Sequence, residues 1–346
     1  MKVLMVTSPI VSLREPFKGG TESFVVSLAN GMADAGHQVD VLCKDADEDN
    51  KFNTLHLQES AFRMTDAITS ETEGQKLYQA AQFGLFNADD YDVIHFHSYY
   101  HAMFEFAYFH QRRNIVTLHS PLSERLALTH KLNSMRSDDR YVAVSQRLAD
   151  EWCSTISTPI DVVHNGIDLS RLPPAAPNKQ SDLVWVGRLC KEKNPVAAIR
   201  AAKQLNISLI LYGPISDETH FNNDIAPLLD ANIKYGGHLP QQVLYERISE
   251  ARALFITSLW KEPFGLVTLE SLAMGTPVIG TTQAIPSELR VPPLTQTIDL
   301  DDVESLLSAY REAANISASQ CQKAAQKFDI SNTVKAYERI YEQAKI

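Results

Sequence analysis

The sequence is poor in cysteine, and the few cysteines it has are widely scattered. No CxxC pair occurs, which argues against a zinc knuckle or a disulfide framework and fits a reducing compartment. The four cysteines are Cys43, Cys153, Cys190 and Cys321. Long apolar runs are also missing, since none approaches the roughly 18–20 residues of a membrane span. The opening MKVLMVTSPI reads as a buried strand rather than a signal peptide. We therefore expect a cytoplasmic protein with no transmembrane segment. Peripheral contact with a membrane surface is compatible with this expectation.

Positive charge is scarce as well. The chain has 32 Lys and Arg against 42 Asp and Glu, a net charge of −10, and no basic run stands out. Nucleic acid is therefore not expected as a partner. The densest basic stretch, residues 112–140, also contains acidic residues and reads as a solvated face. With 346 residues, 44% of them hydrophobic and 21% charged, the chain is expected to form two soluble globular domains.

Short apolar runs alternate with helical patterns along the first half of the chain. Between the first two runs, Glu22–Ala35 shows helical spacing, and Gly36 follows as a stop signal. Such alternation indicates parallel βαβ units with helices on both faces of a sheet. The predicted strands are Val3–Thr7, Gln38–Cys43, Val93–Phe96, Ile115–Leu118, Tyr141–Val144 and Ile160–Val163. Residues 45–90 are less regular and receive no strand prediction.

A proline-rich segment separates two similar halves. Residues 165–182 contain three prolines within five residues and are predicted to be an interdomain linker. We predict an α/β protein with one doubly wound, Rossmann-like domain over 1–164 and a second over 183–329, facing each other across a cleft. Ligands are then expected at the carboxyl ends of the parallel strands. The predicted strands of the second half are Leu183–Val186, Ser208–Tyr212, Ile233–Tyr235, Ala253–Thr257 and Thr276–Gly280.

The most informative stretch is KEPFGLVTLESLAMGTPVIGT, residues 261–281. A Pro-Phe-Gly turn follows Glu262, and the helical run after it contains Glu270. The start of a helix presents free backbone N–H groups and favours an anion. Two carboxylates beside such a site suit a sugar nucleotide, with the diphosphate on the helix start and hydroxyls on the acids. The alternative is a solvated acidic turn before a core helix.

Two further loops follow predicted strands. Gly19 and Gly20 would let a ligand approach the main chain, although the loop is neither GxGxxG nor a P-loop and a plain turn remains the alternative. After the first strand of the second half, Arg188 offers a planar fork and Lys193 a point charge, which together suggest an anion site. A surface salt-bridge cluster with Glu192 is the alternative there.

Histidines occupy the ends of two strands in the first half. His95 and His97 face the same side of a strand, but a metal pair needs a third ligand, which the sequence does not offer at suitable spacing. His119 closes the next strand, where it could polarise a hydroxyl or a developing charge. A satisfied structural histidine is the alternative for His119. No Ser/His/Asp triad and no GxSxG elbow are present.

Taken in order, these segments resemble a known family. The chain is similar to GT-B glycosyltransferases, specifically the retaining family 4 enzymes, along nearly its whole length. The segment at Lys261 is the most specific, whereas the others gain weight from their order. They are GGTES, AGHQVDVL, DVIHFHS, VTLHS, VAVSQ, VVHNGID, VWVGRLCKEKNP, YGPI, YGGHLPQ and KEPFGLVTLESLAMGTPVIGT.

The resemblance assigns roles around the acidic pair. It implies that Glu262 holds hydroxyls of the donor sugar and that Glu270 binds the ribose hydroxyls. The backbone amides of Phe264, Gly265 and Leu266 look like those that hold the sugar and the distal phosphate.

The resemblance assigns the remaining ligand contacts as well. Arg188 and Lys193 match the pair that neutralises the leaving diphosphate, and His119 matches the histidine near the reacting carbon. Gly19 and Gly20 match the loop over the phosphates. By the same resemblance, residues 330–346 form a helix that packs back on the first domain, and the loop near the nucleobase contains His238 and Leu239.

The implied activity is transfer of a hexose from a nucleotide sugar, UDP-linked by default, to a hydroxyl acceptor with retention of configuration. Nothing identifies a carboxylate nucleophile under the reacting carbon, so we expect a front-face route. No cofactor and no metal are expected to be required, because two cations face the diphosphate. The alternatives are another GT-B enzyme, such as a nucleotide-sugar epimerase or a phosphorylase, or a non-catalytic UDP-binding module. The acidic segment 45–90 favours a soluble or weakly membrane-associated acceptor.

Overall fold

A computed structural model describes residues 1–8, 11–56, 84–97, 114–133 and 139–344. Much of the irregular segment 45–90 and a smaller part of the basic stretch 112–140 lie outside these ranges. The chain divides into two compact units. The first comprises Met1–Arg14, Thr21–Gly166 and Ile330–Ile346, and the second Glu15–Gly20 and Ile167–Asp329.

The first unit is built on a parallel sheet of seven strands in the order β3-β2-β1-β4-β5-β6-β7. Every pairing between neighbours is parallel. Strand β1 is buried along Val3–Val6, as expected for a parallel strand that is covered on both faces. The strands are β1 Lys2–Val6, β2 Gln38–Leu42, β3 Asn53–Leu55, β4 Val93–Phe96, β5 Asn114–Leu118, β6 Arg140–Ala143 and β7 Ile160–Val162.

Helices connect and cover this sheet. The described ones are α1 Gly20–Asp34, α2 Glu124–Asn133, α3 Gln146–Trp152 and, from the end of the chain, α9 Ile330–Ala344. Helix α9 is strongly amphipathic, and its buried face includes Tyr337 and Tyr341, both without exposed surface. Tyr337 pairs through its hydroxyl with the hydroxyl of Thr117 at 2.8 Å. The terminal helix is therefore an integral part of the first unit's core.

The second unit contains a parallel sheet of six strands in the order β10-β9-β8-β11-β12-β13. Its core includes the fully enclosed Trp185 and Phe255, which lie on adjacent strands. The strands are β8 Leu183–Val186, β9 Leu209–Tyr212, β10 Ile233–Gly237, β11 Ala253–Ile256, β12 Val278–Gly280 and β13 Thr295–Thr297. The helices of eight or more residues are α4 Pro195–Gln204, α5 Gln241–Glu250, α6 Leu266–Ala273, α7 Val303–Ala313 and α8 Ala318–Ala325.

The two doubly wound parallel sheets confirm the predicted fold class. Strands β4 and β8 have the predicted bounds. Strand β13 and helices α7 and α8 received no sequence prediction, because no pattern was assigned between residue 281 and the terminal helix. Within the described ranges, no helix combines the length and the apolarity that crossing a bilayer requires.

The unit boundaries differ from the predicted ones at two places. Glu15–Gly20, predicted within the first domain, groups with the second unit. Within that unit, Glu15 accepts a hydrogen bond from the backbone N–H of Gln241 at 2.9 Å. In the predicted linker, Ile167 is buried and its N–H donates to the carbonyl of Phe328 at 3.1 Å. The start of that segment is thus packed structure rather than a free connection.

Two glycines of the second unit provide a test of packing. Both have positive φ angles, 137° at Gly213 and 89° at Gly237. A Cβ at Gly213 would lie 2.0 Å from the carbonyl oxygen of Gly187, whereas one at Gly237 would have no atom within 4 Å. We expect Gly237→Ala to lower the free energy of unfolding by about 1–2 kcal/mol through backbone strain. Gly213→Ala should lower it by roughly 2–5 kcal/mol, because a clash is added. Urea denaturation measures both values, and equal losses would contradict the described packing.

Candidate functional site

The candidate site of the second unit lies where two neighbouring parallel strands end. The loop after β8 contains Arg188 and Lys193, and the loop after β11 contains Glu262. Because β8 and β11 are adjacent and parallel, their carboxyl ends meet at one edge of the sheet. This edge is where open α/β sheets bind ligands.

The two loops are joined by an ion pair. The Nζ of Lys193 lies 2.6 Å from Oε1 of Glu262, and the two side chains are only 17% and 15% exposed. Two more donors reach the same oxygen: the hydroxyl of Ser258 at 2.5 Å and the indole N–H of Trp260 at 3.0 Å. The ammonium of Lys193 also lies 4.8 Å from the centre of the Trp260 ring. Glu262 is therefore held as a carboxylate among donors rather than exposed as an acidic turn.

A short turn determines where Lys193 lies. Residues Lys191–Lys193 form one turn of 3₁₀ helix, and Asn194 follows in the left-handed conformation at φ 54°. Thr257, at the end of β11, donates from its hydroxyl to the carbonyl of Asn194 at 2.8 Å. The N–H of Leu259 donates to the carbonyl of Glu192 at 2.9 Å. These backbone contacts fix the turn against the neighbouring loop and so place Lys193 beside Glu262.

Helix α6 begins directly after the acidic turn. Gly265 precedes it at φ 74°, and a Cβ there would lie 2.9 Å from Pro286, so the position requires glycine. Phe264 is 2% exposed and its ring packs against Phe328 at 5.6 Å between centroids, which anchors the turn that precedes the helix. The first N–H groups of α6 have no acceptor within the helix. The predicted anion-binding amides therefore lie at an anchored helix start.

Glu270 lies inside α6 and is 7% exposed. The hydroxyl of Tyr245, on α5, donates to its Oε1 at 3.2 Å. Burial raises the pKa of Glu270 to about 7, while hydrogen bonds from Tyr245 and Gln241 oppose that shift. Near neutral pH this carboxyl is thus close to its midpoint of ionisation, and further donors would favour the carboxylate.

The glycine loop and His238 are brought together. The side chain of His238 contacts the carbonyl oxygen of Phe17 at 2.9 Å, one residue before Lys18-Gly19. A Cβ at Gly20 would lie 3.1 Å from Leu266, the first residue of α6. The predicted loop therefore reaches the predicted helix start within one compact unit. Leu239 is partly buried next to His238, with no further feature that defines its role.

Arg188 lies on the same loop as Lys193 but in a more open position. It forms an ion pair with Glu192, and the two side chains are 38% and 41% exposed. The proposed salt-bridge alternative is thus present in this structure, but an exposed pair of this kind contributes little stability and can exchange for another anion. Arg188 remains a candidate phosphate ligand.

His119 belongs to the first unit and lies among other histidines. Its Nε2 is 3.0 Å from Nδ1 of His97, and its ring is 5.5 Å from that of Phe24. The rings of His97 and His95 are 3.8 Å apart, as expected for side chains on the same side of β4. Burial lowers the pKa of His119 below the usual value, so the ring is neutral at physiological pH. Among the described residues, no group of three or more metal-ligating side chains occurs.

Several partners at the site were not anticipated from the sequence. Ser258 and Trp260 bind Glu262, Tyr245 binds Glu270, and His97 binds His119. Ser258 lies at a strand end, which could have marked it as a candidate, but nothing in the spacing links Tyr245 to Glu270.

Comparison with known proteins identifies the family. The profile of Glycosyltransferase Family 4 matches residues 18–171, and that of Glycosyl transferases group 1 matches residues 168–294. Together the two profiles span most of the chain. The protein belongs to the group 1/family 4 glycosyltransferases. The family assignment made from the sequence is thereby confirmed, and glycosyltransferase activity follows from it.

Relatives of this glycosyltransferase agree with that assignment. An uncharacterized glycosyltransferase of Methanocaldococcus jannaschii is 26% identical over 303 residues, which cover 75% of this chain and 76% of the relative. Glycogen synthase of Mycobacterium tuberculosis is 28% identical over 214 residues, 54% of this chain and about half (51%) of that enzyme.

Solved structures share the fold of this glycosyltransferase. Sucrose-phosphate synthase from Thermosynechococcus elongatus superposes with a TM-score of 0.77 at 18% identity, over 99% of each chain. Anabaena HepE, solved in complex with UDP and glucose, gives a TM-score of 0.76 at 17% identity, also over 99% of each chain. These GT-B neighbours support the two Rossmann-like domains.

The raised pKa of Glu270 predicts a pH-dependent stability. Its folded-state pKa of about 7 lies above the ordinary 4.5, so the folded protein holds an extra proton between these values. The stabilisation from the neutral form is present below pH 4.5 and is lost as the pH rises towards 7. Glu270→Gln stays neutral, so it should gain about 3 kcal/mol relative to wild type across this window. Denaturation from pH 4.5 to 8 measures the difference. The exposed Glu304→Gln serves as the control, and parallel pH profiles for wild type and Glu270→Gln would refute the shift.

Proposed function

We propose that this glycosyltransferase transfers a hexose from a UDP-linked sugar to a hydroxyl acceptor with retention of anomeric configuration. The observation that carries the proposal is the Lys193–Glu262 pair beside the start of α6. It places a cation, a carboxylate and free backbone amides at one edge of a parallel sheet. A nucleotide sugar offers a matching set of groups, namely a diphosphate and sugar hydroxyls.

The diphosphate is held by positive charge from two sources. Lys193 contributes a partly buried ammonium, and the N–H groups at Leu266 contribute the positive end of a helix. Arg188 exchanges its surface partner Glu192 for phosphate oxygens, since a guanidinium binds phosphate in a bidentate manner. These groups act most strongly on the charge that develops on the leaving group. With such charge supplied by side chains, the proposal needs no metal ion and no cofactor.

The hydroxyls are held by the two acids. Glu262 is fixed by Ser258 and Trp260, so its carboxylate is preorganised to accept from the donor sugar. Glu270 accepts from the ribose hydroxyls, which would add to the hydrogen bond from Tyr245 and favour ionisation in a buried position.

The reaction follows a front-face route. The bond between the anomeric carbon and the β-phosphate oxygen breaks, giving an oxocarbenium-like transition state. The acceptor hydroxyl attacks from the side of the departing phosphate, and its proton passes to a phosphate oxygen. Electrons and protons balance, with UDP as the product. By resemblance, His119 contacts a sugar hydroxyl near the reacting carbon and is a neutral hydrogen-bonding group there.

The choice of UDP rests on relatives. HepE of Anabaena was solved with UDP-glucose, and a further neighbour, TarM of S. aureus, with UDP. These proteins are 16% and 10% identical to this chain, so they motivate the donor without fixing it. The acceptor contributes the hydroxyl group that attacks the anomeric carbon.

A donor screen tests the proposed function. We expect a UDP-hexose to raise the melting temperature of the protein and to be hydrolysed slowly to UDP. An α-linked donor should release a sugar product with the α configuration. Thermal shift over a panel of nucleotide sugars and NMR of the anomeric signal measure the two outcomes. Inversion of the anomer would refute retention. Epimerisation of the donor without an acceptor would indicate a nucleotide-sugar epimerase. Binding of UDP without any turnover would indicate a non-catalytic UDP-binding module.

The cations that contact the leaving group should affect turnover more than binding. Lys193→Ala and Arg188→Ala are each expected to lower kcat by roughly 10²–10³-fold, by analogy with loss of an oxyanion donor. Initial rates with saturating donor measure kcat. Lys203→Ala is the matched control, because Lys203 is a cation of the same unit that pairs with Asp230 on the surface. Wild-type kcat in both site variants would remove these residues from the mechanism.

A further inference from the structure

A small pocket in the first unit lies between the end of β1 and the start of α1. Its walls include Thr7 and Ser8 after β1, Glu22 and Val25 on α1, and His97 after β4. The empty volume is about 240 Å³ including the open mouth, but the enclosed part has room only for a water-sized group.

Two polar atoms of the pocket walls lack partners. The hydroxyl of Ser8 and Nε2 of His97 are both buried, and neither has a hydrogen-bond partner in the described parts of the chain. Ser8 is 5% exposed and His97 is 1% exposed. Buried polar atoms in folded proteins are nearly always paired, either with protein or with ordered water. Two such atoms in the wall of one water-sized space therefore indicate a polar guest.

The other nitrogen of His97 is already committed. Its Nδ1 lies 3.0 Å from Nε2 of His119. Both rings are neutral, since burial lowers the pKa of each and the neighbouring His95 lowers that of His97 further. One proton is therefore shared between these two nitrogens, and each ring has one N–H and one lone pair.

We propose that His97 is a positioning residue that fixes which ring nitrogen of His119 carries the proton. A water in the pocket accepts from Nε2–H of His97 and donates to the surrounding oxygens. Nδ1 of His97 is then unprotonated and accepts a hydrogen bond, so Nε2 of His119 must carry the proton and donate to it. Nδ1 of His119 is left as an acceptor.

The direction of this chain follows from the pocket's chemistry. Thr7 donates its hydroxyl proton to the carbonyl of Leu42 at 2.9 Å, so towards the pocket it offers only lone pairs. The hydroxyl of Ser8 can rotate so that it accepts as well. The walls can therefore receive a proton from Nε2–H of His97 through the water. The opposite tautomer would direct a lone pair of His97 towards these acceptor oxygens.

The consequence for catalysis rests on the proposed function. With Nδ1 as a lone pair, His119 accepts a hydrogen bond from a hydroxyl near the reacting carbon rather than donating one. The opposite tautomer would present an N–H to that position, and the hydroxyl would then have to accept rather than donate. The alignment of the sugar at His119 therefore depends on a side chain that does not touch it.

Nitrogen-15 NMR on the ligand-free protein tests the tautomers without any substrate. Protonated and unprotonated ring nitrogens differ strongly in chemical shift, so the proton can be located on each histidine. We expect His119 and His97 both to carry their proton on Nε2. A proton on Nδ1 of His119 overturns the proposal, whether or not the protein turns over a nucleotide sugar. The expected tautomers without turnover of any donor support the proposal and count against the proposed function.

Variants of His97 separate positioning from stability. His97→Phe keeps the volume of the ring but removes the hydrogen bonds to the water and to His119. The variant should therefore have a mixture of His119 tautomers. We expect kcat to fall roughly 10–100-fold, the size of effect seen when the hydrogen-bond partner of a metal-bound histidine is lost. His97→Asn retains an acceptor at the Nδ1 position and should recover most of the lost kcat. The KM for the donor should change less than kcat in both variants.

His130→Phe is the matched control. His130 is 2% exposed in the same unit, and its ring packs against Tyr141 and Trp152. It should lower the melting temperature without changing the His119 signals. If His97→Phe likewise changes only the melting temperature, His97 is a structural residue and the proposal fails.

Discussion

The ion pair between Lys193 and Glu262 joins the loops that leave two adjacent strands of the second sheet. Both charges are largely removed from water, a situation that is stable only when the remaining hydrogen-bonding capacity is filled. Ser258 and Trp260 fill it, because both donate to the carboxylate oxygen that Lys193 contacts. Removal of either charged partner would leave the other uncompensated. The site is therefore a single electrostatic unit, and α6 starts at Leu266, four residues after Glu262.

The sequence identified the sheets well where strands are buried on both faces. Strands Val93–Phe96 and Leu183–Val186 have the predicted bounds, because such strands appear as uninterrupted apolar runs. Asn53–Leu55 and Thr295–Thr297 were missed for a physical reason. Each is a three-residue strand at the edge of its sheet, and polar side chains interrupt the apolar pattern there.

Site residues could be predicted where a motif fixes the backbone, and not where contacts depend on the path of a loop. The turn after Glu262 and the helix that follows were legible from Pro-Phe-Gly and the apolar spacing. The contact between Tyr245 and Glu270 joins different helices across 25 residues, and that between His97 and His119 joins neighbouring strands across 22. No sequence period encodes such pairs, because they arise only when the sheet and its helices have packed.

The first unit is discontinuous in the chain, since its last helix, Ile330–Ala344, follows the whole of the main segment of the second unit. During synthesis from the N-terminus, the residues of the second unit are all available before that helix is made. Until then, the hydroxyls of Tyr337 and Tyr341 are absent from Thr117 and His95, which they contact at 2.8 and 2.7 Å. All residues of the second unit are therefore available for folding while the histidine-lined interior of the first unit still lacks its last helix.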